Sequence, residues 1–171
     1  KVDPQARKIE SGAAAAKCPW LLFLHADTVL AAGWERDASA FIERVAVGQR
    51  PEAAAAFRFA LDDLGFKPRL LESLVALRCA VLRLPYGDQG LLISRRHYDR
   101  IGGYREMPLM EDVDIVRRLK REEMIILRTP AVTSAVRYRR EGYILRPLRN
   151  VACLMMYYLR VPPHVIARIY E

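Results

Sequence analysis

Apolar and polar positions along this chain fall into blocks whose spacing shifts from helical to strand-like and back. Residues 5–17, with the run Ala13 to Ala16, favour helix by propensity. Trp20-Leu21-Leu22-Phe23-Leu24-His25 follows, a continuous apolar run of the kind that marks a buried parallel strand, and it ends abruptly in Ala26-Asp27-Thr28. A loop leads to a predicted helix near 34–46, whose Phe41, Ile42 and Val45 share one face. Ala53 to Ala60 reads as a strand, because Phe57 and Phe59 flank Arg58 in period two. Leu61-Asp62-Asp63-Leu64-Gly65 reads as a turn. Pro68 is placed as the first residue of a helix reaching about Arg83, with Leu70, Leu71, Leu74, Leu77 and Val81 as its core stripe.

Beyond that helix, Tyr86-Gly87-Asp88-Gln89-Gly90 is a turn that runs straight into the short strand Leu91-Leu92-Ile93. A short helix, Arg95 to Ile101, is closed by Gly102-Gly103, and the next is predicted over Leu109 to Arg121. Met124 to Leu127 and Ala131 to Tyr138 are strand-like. The last stretch reads as two amphipathic helices, Ile144 to Arg160 and Pro163 to Tyr170, split by Pro162-Pro163. No low-complexity linker interrupts the chain, so the alternation predicts one α/β layered domain over residues 1–171.

Composition narrows the class. The chain has 171 residues, about half of them apolar, enough to bury a core. Its three cysteines, Cys18, Cys79 and Cys153, are an odd number without a CxxC pair, which argues against a disulfide scaffold or structural zinc and suits a reducing cytosol. The polar start predicts no signal peptide, its lack of Met predicts a fragment or a processed chain, and no apolar run reaches the roughly 18 residues of a membrane span. A cytoplasmic location is therefore expected.

The net charge of +8 suits an anionic partner. Arg137, Arg139, Arg140, Arg146 and Arg149 cluster near the C-terminus, offset locally by Glu141. Such a cluster is a solvated basic face, a diphosphate clamp, a membrane-facing surface or a nucleic-acid contact. Nucleic acid ranks last, since no RNP-like motif, zinc finger or helix-turn-helix spacing accompanies the arginines. The C-terminal helices carry Val151, Leu154, Met155, Tyr158 and Leu159 at helical spacing. That stripe fits packing on the sheet, a homodimer contact, or a peripheral membrane helix.

The chemistry is expected at three acidic punctuations. Asp27 ends an apolar strand, where open α/β sheets place their ligands and where a carboxylate can hold a hard cation against phosphate. It is equally a capping residue for a following helix. His25 is a structural histidine or a metal ligand, Asp88 a turn former or a contact to a substrate hydroxyl, and Gly87 and Gly90 permit tight backbone. Glu111 and Asp112 open a helix, where the macrodipole stabilises carboxylates whatever else they do. Asp114 is expected to pair with Arg117 or Arg118 at helical spacing.

The ordered series His-Ala-Asp-Thr (25–28), Pro-Tyr-Gly-Asp-Gln-Gly-Leu-Leu-Ile-Ser-Arg-Arg (85–96), Ile-Gly-Gly-Tyr (101–104) and Pro-Leu-Met-Glu-Asp-Val-Asp-Ile-Val-Arg-Arg-Leu (108–119) resembles the family-two, GT-A-fold nucleotide-sugar glycosyltransferases. The closest likeness is to the small bacterial branch associated with radical-SAM and selenodomain proteins, over residues 8 to 170. The resemblance implies a Rossmann-like mixed sheet flanked by helices, a nucleotide diphosphate sugar donor, and Mn2+ or Mg2+ as cofactor. It implies inverting transfer to an unidentified acceptor hydroxyl, lipid-linked acceptors included. Asp27 is then the metal ligand with His25 beside it, Asp112 the general base, Glu111 its orienting partner, and Asp88, Gln89 and Gly90 substrate contacts. Arg139 and Arg140 are placed against the donor phosphates by chain position alone.

The pattern departs from the family at two points: His25 stands where Asp is commoner, and the usual N-terminal nucleotide-binding units are missing. A nucleotidyltransferase and a non-catalytic, degenerate transferase serving as a binding scaffold are the alternatives.

Overall fold

The computed structural model describes residues 4–170. Its elements are α1 (Pro4–Ala15), β1 (Trp20–Phe23), β2 (Thr28–Leu30), α2 (Trp34–Ala46), β3 (Ala54–Leu61), α3 (Phe66–Leu82), β4 (Leu91–Ser94), α4 (Arg95–Arg100), α5 (Glu111–Arg117), β5 (Met124–Thr133), α6 (Val136–Glu141), α7 (Leu145–Tyr158) and α8 (Pro163–Tyr170). Short 3-10 turns cover Gly87–Gln89 and Arg121–Glu123. The strands form one five-stranded sheet in the order β1-β4-β3-β5-β2. Only β3 and β5 run parallel; β4 opposes both β1 and β3, and β2 opposes β5. The chain is thus α/β with a mixed sheet flanked by helices, the layout expected of a Rossmann-like fold.

The centre of the sheet is built from methyl groups. Ala54, Ala55 and Ala56 of β3 are fully buried and, by strand alternation, face opposite sides. Ala53 and Ala55 pack with Leu92 against Ala38 and Phe41 of α2. Ala54 and Ala56 belong to the larger core, with Ile93 of β4, Val113 and Ile115 of α5, Cys153 of α7 and Ile166 of α8. Burying a large apolar side chain such as Ile93 or Ile115 stabilises by about 2–3 kcal/mol, so this double-faced packing is what holds the sheet. Asp37 of α2 ties that helix to β5 by accepting the Thr129 amide at 3.0 Å.

Several expectations are corrected. β1 is a half-buried strand paired only with β4, and antiparallel to it, where a buried parallel strand was expected. A short apolar run reports burial but not the direction of its neighbour. Residues 28–30 form an additional edge strand. Residues 124–133 form one continuous strand, and 136–141 turn into helix, so the strand-like reading of 131–138 holds only to Thr133. α5 is shorter than predicted, and Pro68 lies in the third position of α3. The intended core stripe of α3 faces outward: Leu71 is buried, but Leu70, Leu74, Leu77 and Val81 are exposed.

Candidate functional site

The carboxyl end of β1 does not run into a helix. A tight turn, closed by the Thr28 amide on the His25 carbonyl at 3.1 Å, carries the chain through Asp27 into β2. The Asp27 carbonyl accepts the Ser134 amide at 3.0 Å, pinning this turn to the end of β5. α2 begins only after Gly33, which has no side-chain cap, so the helix-capping reading of Asp27 falls away. The Asp27 side chain is exposed at the rim of a cleft of about 210 Å3.

Beneath that rim, His25, Gly87 and Asp112 interlock. The His25 ring packs so closely on Gly87 that a β-carbon there would collide with Nε2. The Gly87 amide donates to Asp112 Oδ2 at 2.7 Å, and the other Asp112 oxygen accepts the Val113 amide at 2.7 Å. The carboxylate is therefore fixed by two backbone donors at the mouth of α5. Met110 just before it has φ +70°, a left-handed conformation that costs a non-glycine residue roughly 1–2 kcal/mol. Replacing Gly87 by Ala should displace the His25 ring while leaving the fold intact. Of the three histidine ring signals in an NMR spectrum, that of His25 should move and those of His97 and His164 should not. An unmoved His25 signal would show that the ring does not depend on the bare backbone at Gly87.

Asp88 is the electrostatic centre. Its Oδ1 is sealed from solvent and has no hydrogen-bond partner. Burial, partly relieved by Arg78 and His25 and reinforced by Asp112 and Asp27, pushes its carboxyl up to about 6. A buried carboxylate oxygen without a partner, on a residue lining a cleft, is a candidate for a functional role. Asp27, His25, Glu111 and Asp112 line the same cleft, so the structure brings together all five acidic and histidine residues singled out in the sequence.

The remaining predicted contacts lie elsewhere. Gln89 is buried and spends its amide on the fold: Nε2 donates to the Phe57 carbonyl at 2.9 Å, and Oε1 accepts from Arg78 at 3.2 Å. Gly90, at φ +65°, is not among the cleft-lining residues and lies beside the Phe23 carbonyl. Arg139 turns away, donating to the Asp62 carbonyl at 3.3 Å and lying 3.7 Å from Asp63. Arg140 is exposed outside the cleft lining. Asp114 pairs with Arg118 at 2.9 Å, as helical spacing predicted.

The cationic side of the cleft comes instead from Arg137 and Arg146, joined by Asn150, Tyr138 and Tyr170. Arg146 is 7% exposed, bonded to Glu141 at 2.9 Å and to the Tyr170 hydroxyl at 3.2 Å, and its Nε has no partner. Asn150, one turn further along α7, has a buried Oδ1 in the same condition. Burial pushes the Tyr138 phenol up to about 12, so it stays a neutral donor there. Sequence reading had placed Arg137 and Arg146 in the basic cluster without choosing them. The i, i+4 spacing of Arg146 and Asn150 was the available signal.

A second, wider groove of about 930 Å3 runs along β1 from Ile9 and Ala13 of α1, and shares His25, Glu111 and Asp112 with the cleft. Among the described residues, no group of three or more His, Cys, Asp or Glu side chains converges on one ion position. No protein-family model, curated protein or solved structure matches this chain.

Proposed function

We propose that the chain is a metal-dependent inverting glycosyltransferase acting on a nucleotide diphosphate sugar. One observation carries this reading: buried polar atoms of opposite character, the acceptor Asp88 Oδ1 and the donor Arg146 Nε, are without partners on residues that line a single cleft. A ligand with a cation on one side and phosphate oxygens on the other would satisfy them. The wider groove along β1 offers room for the rest of such a donor.

Asp27 and Asp88 are hard oxygen donors of the type that hold Mn2+ or Mg2+, with His25 beside them. An ion bound chiefly through phosphate oxygens and water needs only one or two carboxylates, so the lack of a three-residue cluster fits it. Bound there, the metal would supply charge neutralisation for the leaving diphosphate. Arg146 and Arg137 meet the phosphates from the opposite wall, a guanidinium being suited to paired oxygens. Asp112 takes the acceptor hydroxyl proton as the new bond forms at the anomeric carbon. The bond to the diphosphate breaks, its electron pair leaves with the phosphate, and attack from the opposite face inverts the configuration. Two backbone donors hold the Asp112 carboxylate in one orientation, which supports this role.

Inorganic pyrophosphate with Mn2+ samples the phosphate half of this site whatever holds the nucleoside. Calorimetry should show Mn2+-dependent pyrophosphate binding that Asp27→Asn weakens at least about tenfold, with an unchanged melting curve because that side chain is exposed. Equal binding by both proteins would remove Asp27 from the site. Binding of pyrophosphate without turnover of any nucleotide sugar would favour the scaffold alternative.

A further inference from the structure

Four of the six most exposed large apolar side chains occur at two neighbouring turns. Leu64 and Phe66, at the entry to α3, are 87% and 78% exposed, and Ile144 and Leu145, at the entry to α7, are each 71% exposed. The turns are fastened to each other. The Tyr143 hydroxyl donates to Asp63, and Arg139 reaches across to the Asp62 carbonyl and the Asp63 carboxylate. The four side chains therefore sit on one braced projection. Exposed apolar stripes lead away from it along both helices, through Leu70, Leu74 and Leu77 on α3, and through Leu148, Val151 and Met155 on α7. Apolar surface of this extent on a protein marks an interaction site.

We propose that this projection docks on the surface of an anionic lipid bilayer, with the two turns inserted among the headgroups. The charge around it selects that occupant. Lys67 follows Phe66, and Arg140 lies on the adjoining α6, both exposed and without an ion pair among the described residues. Three of the nearby carboxylates are already engaged, Asp63 by Tyr143 and Arg139, Glu72 by Arg69, and Glu141 by Arg146 and Arg149, which leaves Asp62 of the same turn against the cations. The surplus is positive, in keeping with a chain of net charge +8. A second copy docking through the same patch would bring these cations against themselves, which a two-fold interface disfavours. Phosphate headgroups instead neutralise them while the apolar tips leave water. Among the described residues no helix is long and apolar enough to cross a membrane, so the attachment is peripheral. Tyr138 and Arg146 of the same α6–α7 segment line the cleft. Bilayer docking does not depend on the chemistry proposed for that cleft.

Flotation with phosphatidylcholine vesicles, with and without about one third phosphatidylglycerol, tests this. The chain should float with the anionic vesicles at low salt, stay down with the neutral ones, and detach as salt rises and screens the headgroups. Phe66→Ser combined with Leu145→Ser should cut the floated fraction at least tenfold without altering the melting curve, since neither side chain is buried. A Phe66→Trp reporter should shift its emission to the blue on anionic vesicles only. Three results would overturn the proposal: no flotation at low ionic strength, flotation untouched by the double replacement, or a concentration-dependent dimer that the double replacement abolishes.

Discussion

Asp112→Asn should lower turnover by about a hundredfold or more, the ordinary worth of a general base, and leave donor affinity nearly unchanged. The substitution is isosteric, and the Asn oxygen can still accept the Gly87 amide that now reaches Oδ2 at 2.7 Å. The amide nitrogen gives up the bond from the Val113 N–H as well as the capacity to take a proton, so a melting curve is compared alongside turnover. Single-turnover kinetics on a nucleotide sugar substrate, with donor binding measured separately, distinguishes the two effects. Equal turnover in both proteins would pass the role to Glu111 or Asp88, which share the cleft.

Asp88→Asn should stabilise the metal-free protein at neutral pH. Folding raises this carboxyl from its ordinary 3.8 to about 6, so the native state holds the proton more tightly than the unfolded chain does. Stability from this group is full below about pH 4 and is lost as pH rises through about 6. A shift of that size corresponds to at most about 3 kcal/mol above the window. Asn carries no titrating charge, so the variant should gain relative to the parent between those limits and hold the gain at higher pH. Urea denaturation in EDTA at several pH values reads this directly. A difference that is the same at pH 4 and pH 7 would mean that the gain comes from packing or hydrogen bonding. The residue would then sit in the cleft at a cost to stability, as functional carboxylates often do.

The parts of the fold written in local periodicity were legible. α2 and α8 lie where the pattern put them, and β4 and α4 differ by a single terminal residue. What failed was information carried between elements. The apolar run of β1 announces burial but not that its neighbour β4 runs the other way. Val136 to Tyr138 extends the β-branched pattern of β5, yet the chain has left the sheet at Thr133 and closes a helical turn from Ala135 to Arg139. The α3 stripe shows how periodicity identifies an apolar face without saying what the face meets.

The acidic half of the site was legible for the same reason that the basic half was not. Asp27, Asp88, Glu111 and Asp112 stand at strand and helix ends, positions a sequence marks. Arg137 and Arg139, two residues apart on α6, point about 200° apart around the helix. Choosing between them requires the rotation of α6 on the sheet, and that is set by tertiary packing of Tyr138 with Phe59 and Leu71.

The alanines of β3 set a distance as well as filling space. Ala54 and Ala56 lie in the same core cluster as Val113 and Ile115, the α5 residues just behind Glu111 and Asp112. The acidic wall of the cleft thereby shares a core with small side chains contributed from more than fifty residues upstream. Nothing in that stack can flex like a long side chain, so an error in layer spacing would pass undamped to the carboxylate. The aperture of the cleft is in this sense a dimension set at the centre of the sheet, by residues that do not line it.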